Sequence, residues 1–350
     1  MNDILFSPTQ FGAIELKNRV VMAPMTRSRA GEGDVPTELA VEYYRQRASA
    51  GLIITEGTQP SDAGKGYCRT PGIYSPEQVE GWRRVTEAVA SEGGLMVSQI
   101  MHVGRISSRH NKQPDSETVA PSAIQAAGQM FTDSHGMVDF DVPRALATSE
   151  IADVVEEYRQ ATENAFAAGF AGVELHATSG YLPAQFLSTG TNQRTDHYGG
   201  AAQNRIRFVL EVLEAMTAVD GADRVGMRIC PGNPFNDLHD DDPQATFTAL
   251  LQAVDPMQLA YLHVIRMPEG PVDNLALARE YFSGPLLVNE SYSADEAAQT
   301  LQRAEAAAVS FARHYIANPD LVERFKAGAE LARFDHKTLY TPGAKGYTDY

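Results

Sequence analysis

The sequence predicts a single-domain (β/α)8 TIM barrel, and three observations carry that expectation. Short β-branched runs alternate with longer amphipathic stretches, there are eight such runs, and six of them carry a polar side chain at or near their C-terminal end. Strand–helix alternation implies parallel βαβ units, and eight units suggest closure rather than an open sheet. The runs are Arg19–Ala23, Leu52–Glu56, Leu95–Ile100, Gly172–His176, Val225–Ile229, Tyr261–Val264, Pro285–Asn289 and Ala308–Ala312. Between them the helical spacing is clearest at Ile151, Val154, Val155, Tyr158, Ala161, Thr162 and Ala165. A barrel takes about 250 residues, more with inserted loops. The 350 residues are therefore expected to form one domain, 1–350.

Two additions to the barrel are expected. Ile4–Phe6 and Ile14–Leu16 flank Gly12 and read as an N-terminal hairpin that plugs the barrel bottom. After the third strand comes a long loop excursion, His102 to Arg144, rich in Ser, Gly, Pro and Asp. Loops of that length are usually lids or binding loops, so residues 103–148 are expected to cap the barrel. Met130–Thr132 and Met137–Phe140 suit a hairpin flap within it.

Composition narrows the function. Hydrophobic residues make up 43% and charged residues 21%, as in an ordinary globular chain. A net charge of −16 repels nucleic-acid backbones and anionic lipid, which points to a small-molecule substrate rather than either partner. Two cysteines, Cys68 and Cys230, make no disulfide framework or metal cluster. They fit a reducing compartment, and residues 1–10 lack the pattern of a signal peptide. The expected location is cytoplasmic. No apolar stretch of about 18 residues is present to cross a bilayer.

Barrel enzymes place their chemistry at the C-terminal ends of the strands, which sorts the polar residues. Thr26 follows the first strand, Glu56 closes the second, and Gln99 and His102 close the third. His176 closes the fourth, Arg228 the fifth, and Arg313 follows the eighth. In Val173-Glu-Leu-His-Ala-Thr-Ser-Gly-Tyr-Leu182, a strand-end His176 can donate to a substrate carbonyl. Tyr181, in the next turn, can give a proton from the opposite side; the alternative is a satisfied core histidine and a packing tyrosine. Thr26 can donate to a ring carbonyl or simply close a strand-end turn. Gln99 offers donor and acceptor to the edge of a pyrimidine-like ring, or is a barrel amide bonded to its neighbours. Asn289-Glu-Ser-Tyr-Ser293 and Phe311–Leu321 follow strands seven and eight, the usual barrel phosphate site. Arg313 there can pair with a phosphate or cap a surface helix.

Taken together these segments resemble the old yellow enzyme family of FMN-dependent ene-reductases, over nearly the whole chain. The resemblance rests on Asn18–Arg27, Glu42–Leu52, His102-Val-Gly-Arg105, Val173–Leu182, Gln185-Phe-Leu187, Asn192–Gly200, Asn204-Arg205 and Tyr315–Leu321. It implies non-covalent FMN, NAD(P)H as hydride donor, and ping-pong reduction of α,β-unsaturated carbonyl or nitro compounds. FMN rather than FAD also fits the absence of a Gly-x-Gly-x-x-Gly fingerprint. By the resemblance Thr26 bonds the flavin, Pro24, Met25 and Gly57 touch its ring, Gln99 meets the pyrimidine edge and Arg228 faces the N1–O2 side. Asn289, Ser291, Ala312 and Arg313 form the phosphate region. His176 grips the substrate's activating group, Tyr181 is the proton donor, and Tyr67, Phe235 and Tyr347 are pocket walls. Such enzymes are monomers or homodimers.

The chain departs from the family pattern in three respects: one substrate donor, one pocket residue and the phosphate region. Ser179 stands where a second donor, His or Asn, is usual. Met101 replaces a common Trp, which reshapes the pocket. Ser291 and Ala312 stand where Gly is usual, and Glu290 adjoins the phosphate region, which weakens FMN binding unless it points away. The departures leave three readings: an ene-reductase of shifted range, a biosynthetic relative running desaturation, isomerisation or a redox-neutral reaction, or a flavin-binding barrel without turnover. The persistence of Thr26, Gln99, Tyr181, Arg228 and Arg313 argues against the last.

Overall fold

Apolar β-branched runs of three to five residues, buried on both faces, can only be the strands of an enclosed sheet. In the computed structural model, which describes residues 3–350, they close into a parallel barrel. Its strands are β1 (Val20–Met22), β2 (Leu52–Ile54), β3 (Met96–Ile100), β4 (Gly172–His176), β5 (Val225–Ile229), β6 (Tyr261–Ile265), β7 (Leu286–Asn289) and β8 (Ala308–Phe311). Neighbours pair in chain order and β8 returns to β1, with Ser310 opposite Val21. All eight expected runs are strands, each shifted by two residues or fewer at its ends. Residues 1 and 2, with which the expected domain and N-terminal segment begin, lie outside the described residues.

The surrounding helices follow from amphipathic spacing. They are α1 (Glu38–Arg45), α2 (Pro76–Ser91), α3 (Ile151–Ala167), α4 (Arg207–Asp220), α5 (Pro243–Val254), α6 (Asn274–Tyr281), α7 (Ala294–Gln302) and α8 (Leu321–Ala327). The expected stripe of α3 is its buried face, except Val155, which is half-buried at its margin. Ser75 starts α2 with a reciprocal cap to Gln78, a device that supplies about 1 kcal/mol.

The N-terminal hairpin differs from expectation in its first strand. Ile4–Phe6 lies in a 3-10 turn, and Thr9–Phe11 pairs with Ile14–Leu16. Phe11 faces Ile14 across the two-residue link Gly12-Ala13, with Gly12 at φ +53°. So tight a turn pairs the residues immediately beside it, which leaves Ile4–Phe6 out of register. The hairpin does close the barrel bottom. Phe11, Ile14 and Leu16 pack with Val21, Leu52, Ile54, Val97, Tyr261 and Leu287, and Phe11 lies 5.0 Å from the Tyr261 ring. In the excursion after β3, Gln129–Thr132 and Gly136–Asp139 form the antiparallel flap.

Candidate active site

Side chains alternate inward and outward along each strand, and inward parity fills the upper barrel with polar groups. Gln99 on β3, Glu174 and His176 on β4, Arg228 on β5, His263 on β6, Asn289 on β7 and Ser310 on β8 are all buried. All but His176 are hydrogen-bonded to one another. Gln99 Nε2 donates to Glu174 at 2.8 Å, the other Glu174 oxygen lies 2.9 Å from His263 Nδ1, and His263 Nε2 lies 2.8 Å from Ser310 Oγ. Arg228 donates to Asn289 Oδ1 at 2.8 Å, and Asn289 Nδ2 donates to the Ser310 carbonyl at 3.0 Å. Glu174 and His263 escaped the sequence reading. Glu174 shares parity with His176, and a carboxylate at an inward barrel position must be paired; that was the available signal.

At the mouth, Thr26, Tyr67, Tyr181 and Phe235 line a cavity of about 540 Å³. Cys68, the flap residues Met130, Phe131 and Met137, and Tyr340 from the C-terminal segment also border it. Tyr181 is buried, its hydroxyl 3.1 Å from that of Tyr67, its ring edge-on to His176 with centroids 4.9 Å apart. Burial, reinforced by Tyr67, holds the Tyr181 phenol well above its usual pKa, so it stays protonated. Burial, with Arg228 nearby, pulls His176 down to about 3, so its ring is neutral.

Gly180 is required between these residues. At φ +78° a Cβ would lie 2.7 Å from Asn236 Cβ and 2.8 Å from the Phe235 carbonyl. Ser179 has φ +59°, and its carbonyl accepts from Asn236 Nδ2 at 2.8 Å. Asn236, whose side chain also interacts with the Tyr67 and Tyr181 hydroxyls, was missed because it lies 57 residues from Ser179 in a loop without strand or helix pattern.

Other expected residues fall as follows. Pro24, Met25 and Thr26 follow β1, half-buried. Gly57 follows β2, where a Cβ would meet Met101 Sδ at 2.4 Å; Met101 is thus a buried filler against Gly57 and does not line the cavity. Tyr347 is not a pocket wall. It is fully buried, stacked on Tyr43 at 4.0 Å, with the Arg27 and Arg29 guanidinium groups over its ring. Those arginines bond the carbonyls of Thr338, Leu339, Gly343, Lys345 and Gly346, which straps the C-terminal segment beside the cavity. The backbone N–H of Arg27 donates to Glu56, a buried carboxyl pushed up to about 7 by burial.

Asn289, Glu290, Ser291, Ala312 and Arg313 line a second cleft, of about 340 Å³, next to β7 and β8. Glu290 points into this group rather than away. It pairs with Arg313, which also donates to Ser291 Oγ at 2.7 Å. Arg266 grips the Glu290 and Ser291 carbonyls at 2.6 and 2.8 Å.

The residues fit a flavin with a terminal phosphate. Arg228 Nε and His176 Nδ1 are buried without a partner among the described residues. Gln99 gives one N–H to Glu174, which leaves its second N–H and its carbonyl oxygen for a partner. Asn289 and Ser310 join this polar layer directly to the cleft that holds Arg313.

Barrel and site together define a flavin-dependent oxidoreductase. A family model described as NADH:flavin oxidoreductase / NADH oxidase matches residues 4–332, and the chain belongs to that family, the family of the old yellow enzyme. It is 43% identical to a probable flavin mononucleotide-dependent alkene reductase of Leishmania infantum, over 99% of this chain and 97% of that protein. It is 40% identical to 12-oxophytodienoate reductase 7 of Oryza sativa subsp. japonica, over 99% and 94%. Morphinone reductase in complex with tetrahydroNAD superposes with a TM-score of 0.95 at 45% identity, covering 99% of this chain and 96% of that one. The expected cofactors, FMN and NAD(P)H, accord with this family. Among the described residues no helix is long and apolar enough to cross a membrane.

Proposed function

We propose that this chain is an FMN-dependent NAD(P)H ene-reductase that reduces electron-poor C=C bonds of α,β-unsaturated carbonyl or nitro compounds. One observation carries the reading: neutral His176 and protonated Tyr181 stand edge to face at the end of β4, with Tyr181 on the cavity that Thr26 also lines. When bound, FMN supplies the redox centre that exchanges hydride with NAD(P)H and with the alkene in turn. Thr26, Gln99 and Arg228 hold the ring, and Pro24, Met25 and Gly57 offer it backbone. Asn289, Ser291, Ala312 and Arg313 hold the phosphate. His176, with Ser179 as the shorter second donor, polarises the substrate's carbonyl or nitro oxygen, which lowers the energy of the enolate-like charge. Tyr181 then gives its proton to the α-carbon, and the Tyr67 hydroxyl keeps it aimed.

Substrate and nicotinamide share one cavity, hence ping-pong turnover. The mouth is apolar and open, with Phe131, Met137, Phe235 and Tyr340 about half exposed or more, which favours a substrate larger than a simple enone. The whole chain acts as one domain with residues 103–148 as its cap, as a cytoplasmic monomer or homodimer. The readings as a relative running desaturation, isomerisation or a redox-neutral reaction, and as a barrel without turnover, are not favoured, since the similar proteins named above are alkene and 12-oxophytodienoate reductases. Anaerobic bleaching by NADH or NADPH, followed by reoxidation with cyclohexenone or maleimide, tests the activity. Tyr181→Phe is expected to slow the alkene half-reaction about 10²–10⁴-fold while sparing reduction by NAD(P)H. Equal slowing of both half-reactions in stopped flow would refute the proton-donor role.

A further inference from the structure

The proposed function gives no task to the carboxylate of Glu174. Glu174 is completely buried inside the barrel, two positions before His176 and on the same inward face. A carboxylate there costs several kcal/mol of desolvation unless it is paired and fully bonded. Burial pushes its pKa up, but His263, Arg228 and Gln99 together pull it below the ordinary value, so Glu174 is an anion. Burial dominates at His263 and keeps its ring neutral. Nδ1–H therefore donates to Glu174, and Nε2 accepts the Ser310 hydroxyl. Glu174, which can only accept, fixes the tautomer, and the Ser310 hydroxyl turns to suit it.

Two consequences reach the cofactor site. An amide has one donor end and one acceptor end. Glu174 takes one N–H of Gln99, and a flipped amide would set its carbonyl oxygen against the carboxylate, so the orientation is fixed, with the carbonyl oxygen and the second N–H left for a ligand. Arg228, in turn, feels Glu174 more strongly than any other carboxylate, Glu290 coming after it. Arg228 lies on the neighbouring strand β5, two residues beyond Gly226, the register partner of Glu174, so the carboxylate sits one inward step below it and partly offsets its positive charge.

We propose that Glu174 is a positioning residue for the FMN site: it fixes the orientation of the Gln99 amide and, as the buried counter-charge of Arg228, holds down the reduction potential of bound FMN. This rests on the flavoenzyme reading of the same site. Glu174→Gln keeps the shape and removes the charge; Glu174→Asp keeps the charge and withdraws it from Gln99 and His263.

The test is the midpoint potential of bound FMN and its dissociation constant by fluorescence quenching, measured on the FMN-loaded wild type and both variants. Glu174→Gln is expected to raise the potential, with faster reduction by NAD(P)H and slower reoxidation by alkene. Glu174→Asp is expected to leave the potential near the wild type but weaken FMN about tenfold, the loss of one charge-assisted hydrogen bond. An unmoved potential in Glu174→Gln, or equal shifts in the two variants, overturns the counter-charge role. Should Glu174→Gln fail to fold, Glu174→Asp still decides: wild-type FMN affinity there overturns the positioning of Gln99. A wild-type chain that takes up no FMN overturns the flavoenzyme reading, and this inference with it.

Discussion

Ser179 shows how a backbone conformation and a side-chain role become entangled. Its φ of +59° lies in the left-handed region, where Asn and His are far commoner than Ser. The family's usual residues at this position therefore suit both the turn and the donor role, and Ser179 suits the turn less well and reaches less far. A missing oxyanion donor costs about 10²–10³ in rate. Ser179→Asn is expected to recover a large part of that on cyclohexenone without loss of thermal stability, because the backbone is already shaped for it. If steady-state rates on cyclohexenone are the same for both proteins, the shorter hydroxyl is not what limits small enones. The neutral state of His176 belongs to the same scale. Its pKa near 3 means the alkene half-reaction carries no ionisation from this ring between pH 5 and 8.

The elements decide how the phosphate is met. The loop after β7 carries Glu290 at φ +92° and Ser291 at φ +54°, and Arg266 fastens both of their carbonyls. Glu290 is thereby held against Arg313, and an incoming phosphate must compete with a carboxylate for the same guanidinium. The pair is about half exposed, and such pairs contribute about 0–1 kcal/mol. Glu290→Gln is therefore expected to tighten FMN by no more than about fivefold, most at low ionic strength. Equilibrium dialysis at two salt concentrations reads this directly; an unchanged or weaker affinity would mean that Glu290 does not compete. The sequence carried the carboxylate and its neighbourhood. It could not carry the direction of the side chain, which Arg266, 24 residues away, imposes.

For the whole molecule, legibility follows periodicity. The eight strands could be read because each is an apolar run with turn residues behind it. The strand-end residues could be read because the barrel rule assigns them a face. The ring beneath them was equally encoded by parity, in Glu174 and in His263 of Tyr261-Leu-His-Val264, but single residues do not reveal pairings across four strands. Tyr347 was misplaced for a different reason, since nothing local tells where a tail without helix or strand will run. The buried Glu56 under that tail links stability to pH. Its folded pKa of about 7 lies above the unfolded value, so its contribution is full below pH 4.5 and is lost as pH rises through 7. The loss is on the order of 3 kcal/mol. Glu56→Gln is expected to melt progressively higher than the wild type as pH goes from 5 to 8. Parallel melting curves across that range would show that Glu56 keeps an ordinary pKa. His102 and His176, buried and neutral, act with the opposite sign, their contribution falling below pH 6.5.

The strap over Arg27 and Arg29 also has a meaning in time. During synthesis the Gly346 carbonyl that caps Arg27 emerges 319 residues after it. Over that interval the two cations have only nearby acceptors, the Tyr43 hydroxyl for Arg27 and the Arg27 carbonyl for Arg29, and the wall bearing Tyr340 does not yet exist. The nascent barrel cannot present a finished pocket until that segment has left the ribosome and folded back, so competence for turnover waits on its docking rather than on closure of the barrel.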